Sequence, residues 1–422
     1  MPSSIIVLIT IIVVVIILII NCHIINLYSS IIVKTDDPAP DEYTSVIRLT
    51  MKYINTYSKS EVPKTTKAII VGDVHGSILQ LYLPLKAAGI ISSISFDESS
   101  HTFKPKLSIS EKSKNVIYCG DFFGRTQHPY VAEMLVSFLD IYLTCLKSQK
   151  TRDKIVWVYG NHDINFFKEH LFKFSNLNLN DPMGIKSEKL RELLFEVIKL
   201  NPYPCIYYSP DLDLTVSHTS LPLRMGKFGL NSLFSIQGID ENSEIFKHMS
   251  DLQDLILDGD SFTNSQDSIL MKFEKLDISS FFQSNSTQIT PARINQFAKY
   301  YVLFNPYSWA KDIEFDFYWS RNYFDIYLPN TTYYFIGHTI ISSYFNSEDM
   351  KNIDITPYTF VRKNPKVIDV DVGASSLFSN LCQEQSDKIY VEASAFGILS
   401  DKFKMSSWNI VKNSEGSRSQ EN

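Results

Sequence analysis

The stretch VWVYGNHDIN, residues 156–165, decides how this chain is read. A run of apolar and aromatic residues stops at Gly160. An amide, an imidazole and a carboxylate follow at once, at Asn161, His162 and Asp163. The first half is a buried strand by pattern, and the second half is costly to bury without partners. Taken alone, the stretch allows two readings. In one, Gly160 turns the chain, Asn161 caps a helix and the polar residues lie on the surface. In the other, the three form a ligand cluster at the carboxyl edge of a sheet, where α/β folds place their chemistry.

The same form recurs. KAIIVG (67–72) runs into Asp73, Val74, His75 and Gly76, and NVIYCG (115–120) runs into Asp121, Phe122, Phe123, Gly124 and Arg125. LTVS (214–217) runs into His218, and YYFIG (333–337) into His338. Each is an apolar strand followed by an oxygen or imidazole donor. Parallel strands ending on one side bring such groups together. The set Asp73, His75, Asp121, Asn161, His218 and His338 mixes O and N donors, which suits Mn, Fe or Zn. Asp121 is the carboxylate placed to bridge two ions roughly 3.5–4 Å apart, as two-metal hydrolytic sites require.

Between these strands lie helical patterns, at 78–89 with Pro84 expected to kink or end it, at 130–147, and from about 165 to 202. CIYYS (205–209) and LDLTVS (212–217) read as a hairpin, and KVIDVDVGA (366–374) and KIYVEASA (388–395) as further strands. Residues 225–330 are polar, rich in Ser, Asp, Asn and Phe, without strand alternation, and read as an inserted helical cap. Short strands alternating with helices imply a layered α/β sheet. The main domain is expected over 67–410 and a disordered tail over 411–422.

The N-terminus has a different character. From Ile5 to Ile20 only Thr10 is polar, and no Lys, Arg, Asp or Glu precedes Lys34. A spanning helix needs roughly 20 apolar residues. The basic n-region and small-residue cleavage site of a signal peptide are absent. Residues 1–33 are therefore expected to be an uncleaved single-pass transmembrane anchor, with a signal peptide as the rival. Residues 34–66 follow as a linker and docking helix, with helical spacing at Val46, Leu49, Tyr53 and Ile54. Two sequons, at Asn285 and Asn330, lean towards a lumenal or extracellular domain. The net charge of -6 argues against nucleic acid as a partner. Five scattered cysteines without a CxxC pair give no zinc-finger or thioredoxin signal. Cys119 is expected to be a buried, inert thiol.

GDVHG, GDFFGR, GNHD, SHTS and GHT, in that order, resemble the five blocks of the calcineurin-like metallophosphoesterase superfamily. The set is most similar to the branch holding phosphoprotein phosphatases and diadenosine-tetraphosphatase-like enzymes. The resemblance implies a four-layer α/β/β/α sandwich with two divalent ions between the sheets. It implies that Asp73 and His75 hold the first ion, that Asp121 bridges, and that Asn161, His218 and His338 hold the second. His162 is then the general acid or phosphate donor, and Arg125 the phosphate-gripping arginine. Arg321, in YWSRNY (318–323), resembles a second phosphate clamp, with stacking on Trp319 as the plainer reading. The implied reaction is hydrolysis of a phosphoprotein or small phosphoester by a hydroxide bridging the metals. A dinucleotide polyphosphate substrate and an inactive scaffold on the same fold are the alternatives.

The sequence departs from the family's patterns in two places. Thr339 and Ile340 follow His338, so the second histidine of a GHxH block is missing. Gly124 stands where protein phosphatases carry the aspartate that orients the catalytic histidine, and Thr126 follows Arg125 in place of glycine.

Overall fold

The structure, a computed structural model, describes residues 40–57, 62–123, 130–167, 188–221, 291–292, 294–295, 298, 328–338, 367–371 and 388–413. The chain divides into two compact units at Ile47 and Arg48. Of the first unit only residues 40–47 are described, as part of helix α1 (Pro40–Thr56). This helix begins earlier than its apolar spacing predicts and takes in residues 40–45 of the expected linker. Pro40 opens it, where a missing N–H costs nothing.

In the second unit, Asn55 near the end of α1 clasps the backbone of Ile94. Its Nδ2 donates to the carbonyl at 2.7 Å and its Oδ1 accepts the N–H at 2.8 Å. Arg48 pairs with Glu98 on the surface.

The first sheet has the order β11-β10-β1-β4-β5. Its strands are β1 (Ala68–Val71), β4 (Asn115–Tyr118), β5 (Ile155–Trp157), β10 (Lys388–Leu399) and β11 (Phe403–Asn413). β1, β4 and β5 are parallel, and β10 joins β1 antiparallel. The second sheet has the order β6-β7-β8-β9, with β6 (Ile206–Ser209), β7 (Leu214–Ser217), β8 (Tyr333–Ile336) and β9 (Val367–Asp369). β6 and β7 form the expected antiparallel hairpin, and β7, β8 and β9 are parallel.

The two sheets face each other across one apolar core. Ala68, Ile70, Ile117, Val156 and Val158 of the first meet Leu214, Val216, Phe335, Ile368 and Val370 of the second. Burying each such branched side chain stabilises by roughly 1.5–3 kcal/mol. Alternation then turns Tyr118 and Trp157 to the first sheet's other face. There α2 (Ile78–Ala88) and α3 (Val131–Leu146) cover them. Tyr118 donates to the Leu81 carbonyl, and Tyr82 to that of Met134. α4 (Glu188–Leu200) lies alongside α3. The described residues thus form helix, sheet and sheet layers. The expected fourth layer, the expected transmembrane segment and nearly all of the 225–330 insert lie outside them. Cys119, Cys145 and Cys205 are buried free thiols. Among the described residues no helix is long and apolar enough to cross a membrane.

Three elements differ from expectation. Pro84 does not end α2, which continues to Ala88 and closes on left-handed Gly89. Every residue of α2 except Lys86 is buried, and that packing outweighs the one backbone bond lost at Pro84. A hairpin of β2 (Ile91–Asp97) and β3 (Thr102–Leu107) fills a stretch the reading left blank. β11 runs to Asn413, into the segment expected to be a disordered tail, because it pairs with β10 along its whole length.

Candidate metal centre

The parallel strands of both sheets end towards one another. The N–H groups of Val74 and His75 donate to the Asp121 carbonyl at 3.1 and 2.7 Å, joining the β1 turn to the β4 turn. Gly337 N–H donates to the His218 carbonyl at 2.9 Å, joining β8 to β7. His338 N–H donates to Asp73 Oδ1 at 3.1 Å, joining the two sheets. These turns hold His75, Asp121 and His338 at positive φ, 45°, 48° and 69°. Non-glycine residues avoid that region, and such strain gathers at functional sites.

The site is crowded by design of its backbone. A Cβ on Gly160 would lie 2.0 Å from Asp121 Oδ1, and one on Gly337 would lie 2.5 Å from Asp73 Oδ1. Gly120 has φ 112° and approaches Gly160 N to 2.6 Å at its own Cβ position. Gly160 and Gly337 therefore make room for a carboxylate, and Gly120 for the backbone of the neighbouring turn.

All six sequence-derived donors are buried and converge. His75 Nε2 lies 3.7 Å from Asp73 Oδ2 and 3.7 Å from Asp121 Oδ2. On the other side of the same carboxylate, His218 Nε2 lies 3.5 Å from Asp121 Oδ1. Asn161 Oδ1 sits 2.9 Å from both His218 Nε2 and His338 Nδ1. Donor atoms of His75, Asp121 and His162 lie within 4.8 Å of one another, as do those of Asp121, His218 and His338. Asp121 belongs to both groups.

Backbone carbonyls set the rings. His75 Nδ1 is 3.0 Å from the Phe123 carbonyl, and His218 Nδ1 is 2.7 Å from that of Cys119. An N–H on each Nδ1 leaves Nε2 with its lone pair facing the carboxylates, the form that binds metal. Burial, then the neighbouring His338, holds His218 well below the usual histidine range, so it is a neutral ligand at physiological pH.

The carboxylates carry the opposite burden. Burial drives Asp73 well above the usual carboxylate range, and the charges of Asp371 and Asp121 push it further. Asp369 is raised by burial and by Asp371. Buried carboxylates that repel one another are relieved by holding a proton or by a cation among them. The mixed O and N donors, the neutral histidine and the crowded carboxylates therefore fit two divalent ions.

Asp369 and Asp371 were not among the predicted site residues. β9 pairs in register with β8, Asp369 opposite Ile336, and the chain runs on to Asp371. A Cβ on Gly72 would lie 2.9 Å from the Asp371 Cα, so Asp371 stands beside the β1 turn. The two acidic residues of DVDVG, on a strand otherwise apolar, were the available signal.

His162 stands apart from the six. It is half-buried, and its ring meets that of His75 edge-on at 5.0 Å. Asp163 does not turn towards it. The Asp163 carboxylate accepts from Phe122 N at 2.7 Å, Phe123 N at 3.3 Å, Gly160 N at 2.8 Å and Trp157 Nε1 at 3.0 Å. Burial raises this carboxyl to about 7, against four N–H donors that favour its ionised form. Gly124, Arg125, Arg321 and Thr339 lie outside the described residues.

With this geometry in view, the family comparison falls into place. A family model for calcineurin-like phosphoesterases matches residues 66–342. The chain belongs to that family, and side chains able to hold metal stand at its centre. Comparison with curated proteins gives no match.

Proposed function

We propose that this protein is a membrane-anchored phosphatase that hydrolyses phosphate esters at a centre of two divalent ions. The observation that carries this reading is the Asp121 carboxylate, with His75 on one oxygen and His218 on the other. Asp73, His75 and Asp121 would hold one ion, and Asp121, Asn161, His218 and His338 the other. Bound ions of this kind lower the pKa of water and neutralise charge on the phosphoryl group.

The chain's own residues supply the rest. Thr339 and Ile340 supply no second histidine, so the first ion would be held by Asp73, His75 and Asp121. His162 is less buried than the six and edges the His75 ring, a place suited to a proton donor to the leaving oxygen. Arg125 and Arg321 are assigned to the phosphoryl oxygens, which a planar guanidinium matches. Residues 1–33 are assigned as the anchor, with the catalytic domain on the lumenal or extracellular side. A phosphoprotein or a small phosphomonoester is the proposed substrate. The full set of six ligands weighs against an inactive scaffold.

The test is an assay of the full-length protein in detergent with added Mn²⁺, against p-nitrophenyl phosphate and diadenosine tetraphosphate. Asp121→Asn and His162→Asn are assayed in parallel. Metal-dependent phosphomonoester hydrolysis lost in both variants supports the reading. Activity on the dinucleotide alone moves the substrate class. A wild-type protein that binds no metal removes the reading.

A further inference from the structure

One buried carboxylate is not used by the reaction just described, although it ties together two of the blocks that build the centre. Asp163 is fully buried and accepts from four N–H groups, two on each oxygen. Oδ1 holds the consecutive N–H groups of Phe122 and Phe123. Oδ2 holds Gly160 N and the Trp157 indole. The three backbone contacts lead to the centre. The Phe123 carbonyl receives His75 Nδ1, which sets the ring so that Nε2 faces Asp73 and Asp121. The Phe122 and Phe123 peptides continue directly from Asp121, which itself sits at φ 48°. Gly160 is the residue whose missing side chain makes room for Asp121 Oδ1.

We propose that Asp163 is a positioning residue of the first metal subsite, fixing the His75 ring through the backbone of Phe122 and Phe123. The proposal rests on the ligand assignment of the preceding section. It explains why a carboxylate stands here. Four donors and no acceptor suit an acceptor-only group, whereas an amide would set an NH₂ against two of the N–H groups. It also separates the subsites. His218 is oriented by the Cys119 carbonyl, and His338 by Asn161 and by its own N–H on Asp73, none of which involves the Asp163 side chain.

The test is Mn²⁺ binding by calorimetry to the full-length protein in detergent, with turnover followed as Mn²⁺ is raised. Asp163→Asn is expected to bind one ion within about threefold of wild type and the other at least about tenfold more weakly. Turnover is expected to recover at high Mn²⁺. Trp157→Phe keeps both backbone anchors of Oδ1 and is expected to keep both affinities within about threefold. Should Asp163→Asn fail to fold, Asp163→Glu serves in its place, since it keeps both acceptor oxygens but shifts them by one methylene. It too is expected to weaken one ion selectively. Equal weakening of both ions, or of neither, overturns the proposal, as does the same selective loss in Trp157→Phe. Wild type that binds no Mn²⁺ overturns the ligand assignment itself, whatever the variants do.

Discussion

The backbone N–H of His162 donates to Asp121 Oδ1 across 2.9 Å. The turn that carries the candidate proton donor is thereby tied to the carboxylate shared by both donor groups. Asp121→Asn removes the shared charge and offers an NH₂ in place of one of its two oxygens. We expect the variant to bind at most one Mn²⁺ and to lose activity by on the order of 10²–10³-fold or more. Metal content after gel filtration and turnover at saturating Mn²⁺ check both. A variant that keeps two ions and full turnover places the bridge elsewhere.

His162 itself makes a different prediction. Its side chain is the one histidine ring at the centre that is half-buried, and in the proposed mechanism it gives a proton to the leaving group. His162→Asn is expected to keep two bound ions while kcat falls by roughly 10²–10⁴-fold. The loss should shrink with leaving groups of low pKa, which need no proton, so p-nitrophenyl phosphate should suffer less than an alkyl phosphate. Equal losses on both substrates would assign His162 to binding instead.

Asp371 and Asp73 set up a test by stability. Asp73 is raised by burial and by the charge of Asp371, so in the metal-free protein ionising both costs folding energy. A raised carboxyl binds its proton more tightly folded than unfolded. Metal-free stability from this pair is therefore greatest below the unfolded carboxylate pKa and is lost as pH rises through the raised folded value. Asp371→Asn removes the repulsion. We expect it to raise metal-free stability by roughly 1–2 kcal/mol at pH 8 and by less at pH 5. The same variant should gain less on adding Mn²⁺ than wild type does. Thermal melts at both pH values, with Mn²⁺ and with chelator, measure this. A variant destabilised equally in all four conditions means that Asp371 acts in packing alone.

What the sequence disclosed follows from one physical regularity. A parallel strand must be apolar along its length, and its first residue past the turn lies at the sheet's carboxyl edge. Five strands that each break from apolar residues into one or two donors could therefore be superposed without knowing the pairing. All six donors they supplied stand together, around Asp121. Asp163 was harder, because a carboxylate beside a histidine reads as its partner, and nothing local says that the N–H groups of Phe122 and Phe123, on the β4 turn, reach it. Asp369 and Asp371 sit far along the chain, and only the pairing of β9 with β8 brings them to the site, where Asp371 stands beside the β1 turn. β2, β3 and β11 were missed for a related reason. Their partners, not their own alternation, define them, and β11 pairs from Phe403 to Asn413 with β10.

Gly160 returns to the stretch on which the reading began. Its φ is -100° and its ψ 176°, an extended conformation that any residue adopts. Backbone freedom is therefore not what the position requires. Space is, since a Cβ here would stand 2.0 Å from Asp121 Oδ1 and 2.4 Å from the Asp121 nitrogen. One of these contacts is with backbone, so side-chain rotation cannot relieve both. Gly160→Ala must push the β5 turn away from the β4 turn, which strains the His162 bond to Asp121 and the Asp163 bonds to Phe122 and Phe123 at once. We expect a stability loss of roughly 1–3 kcal/mol, the usual scale of overpacking. We also expect a loss of Mn²⁺ affinity that exceeds any change in far-UV circular dichroism. Calorimetric Mn²⁺ titration of the folded variant decides it. Wild-type affinity with an alanine in this position would mean that the two turns do not approach as closely as their glycine implies.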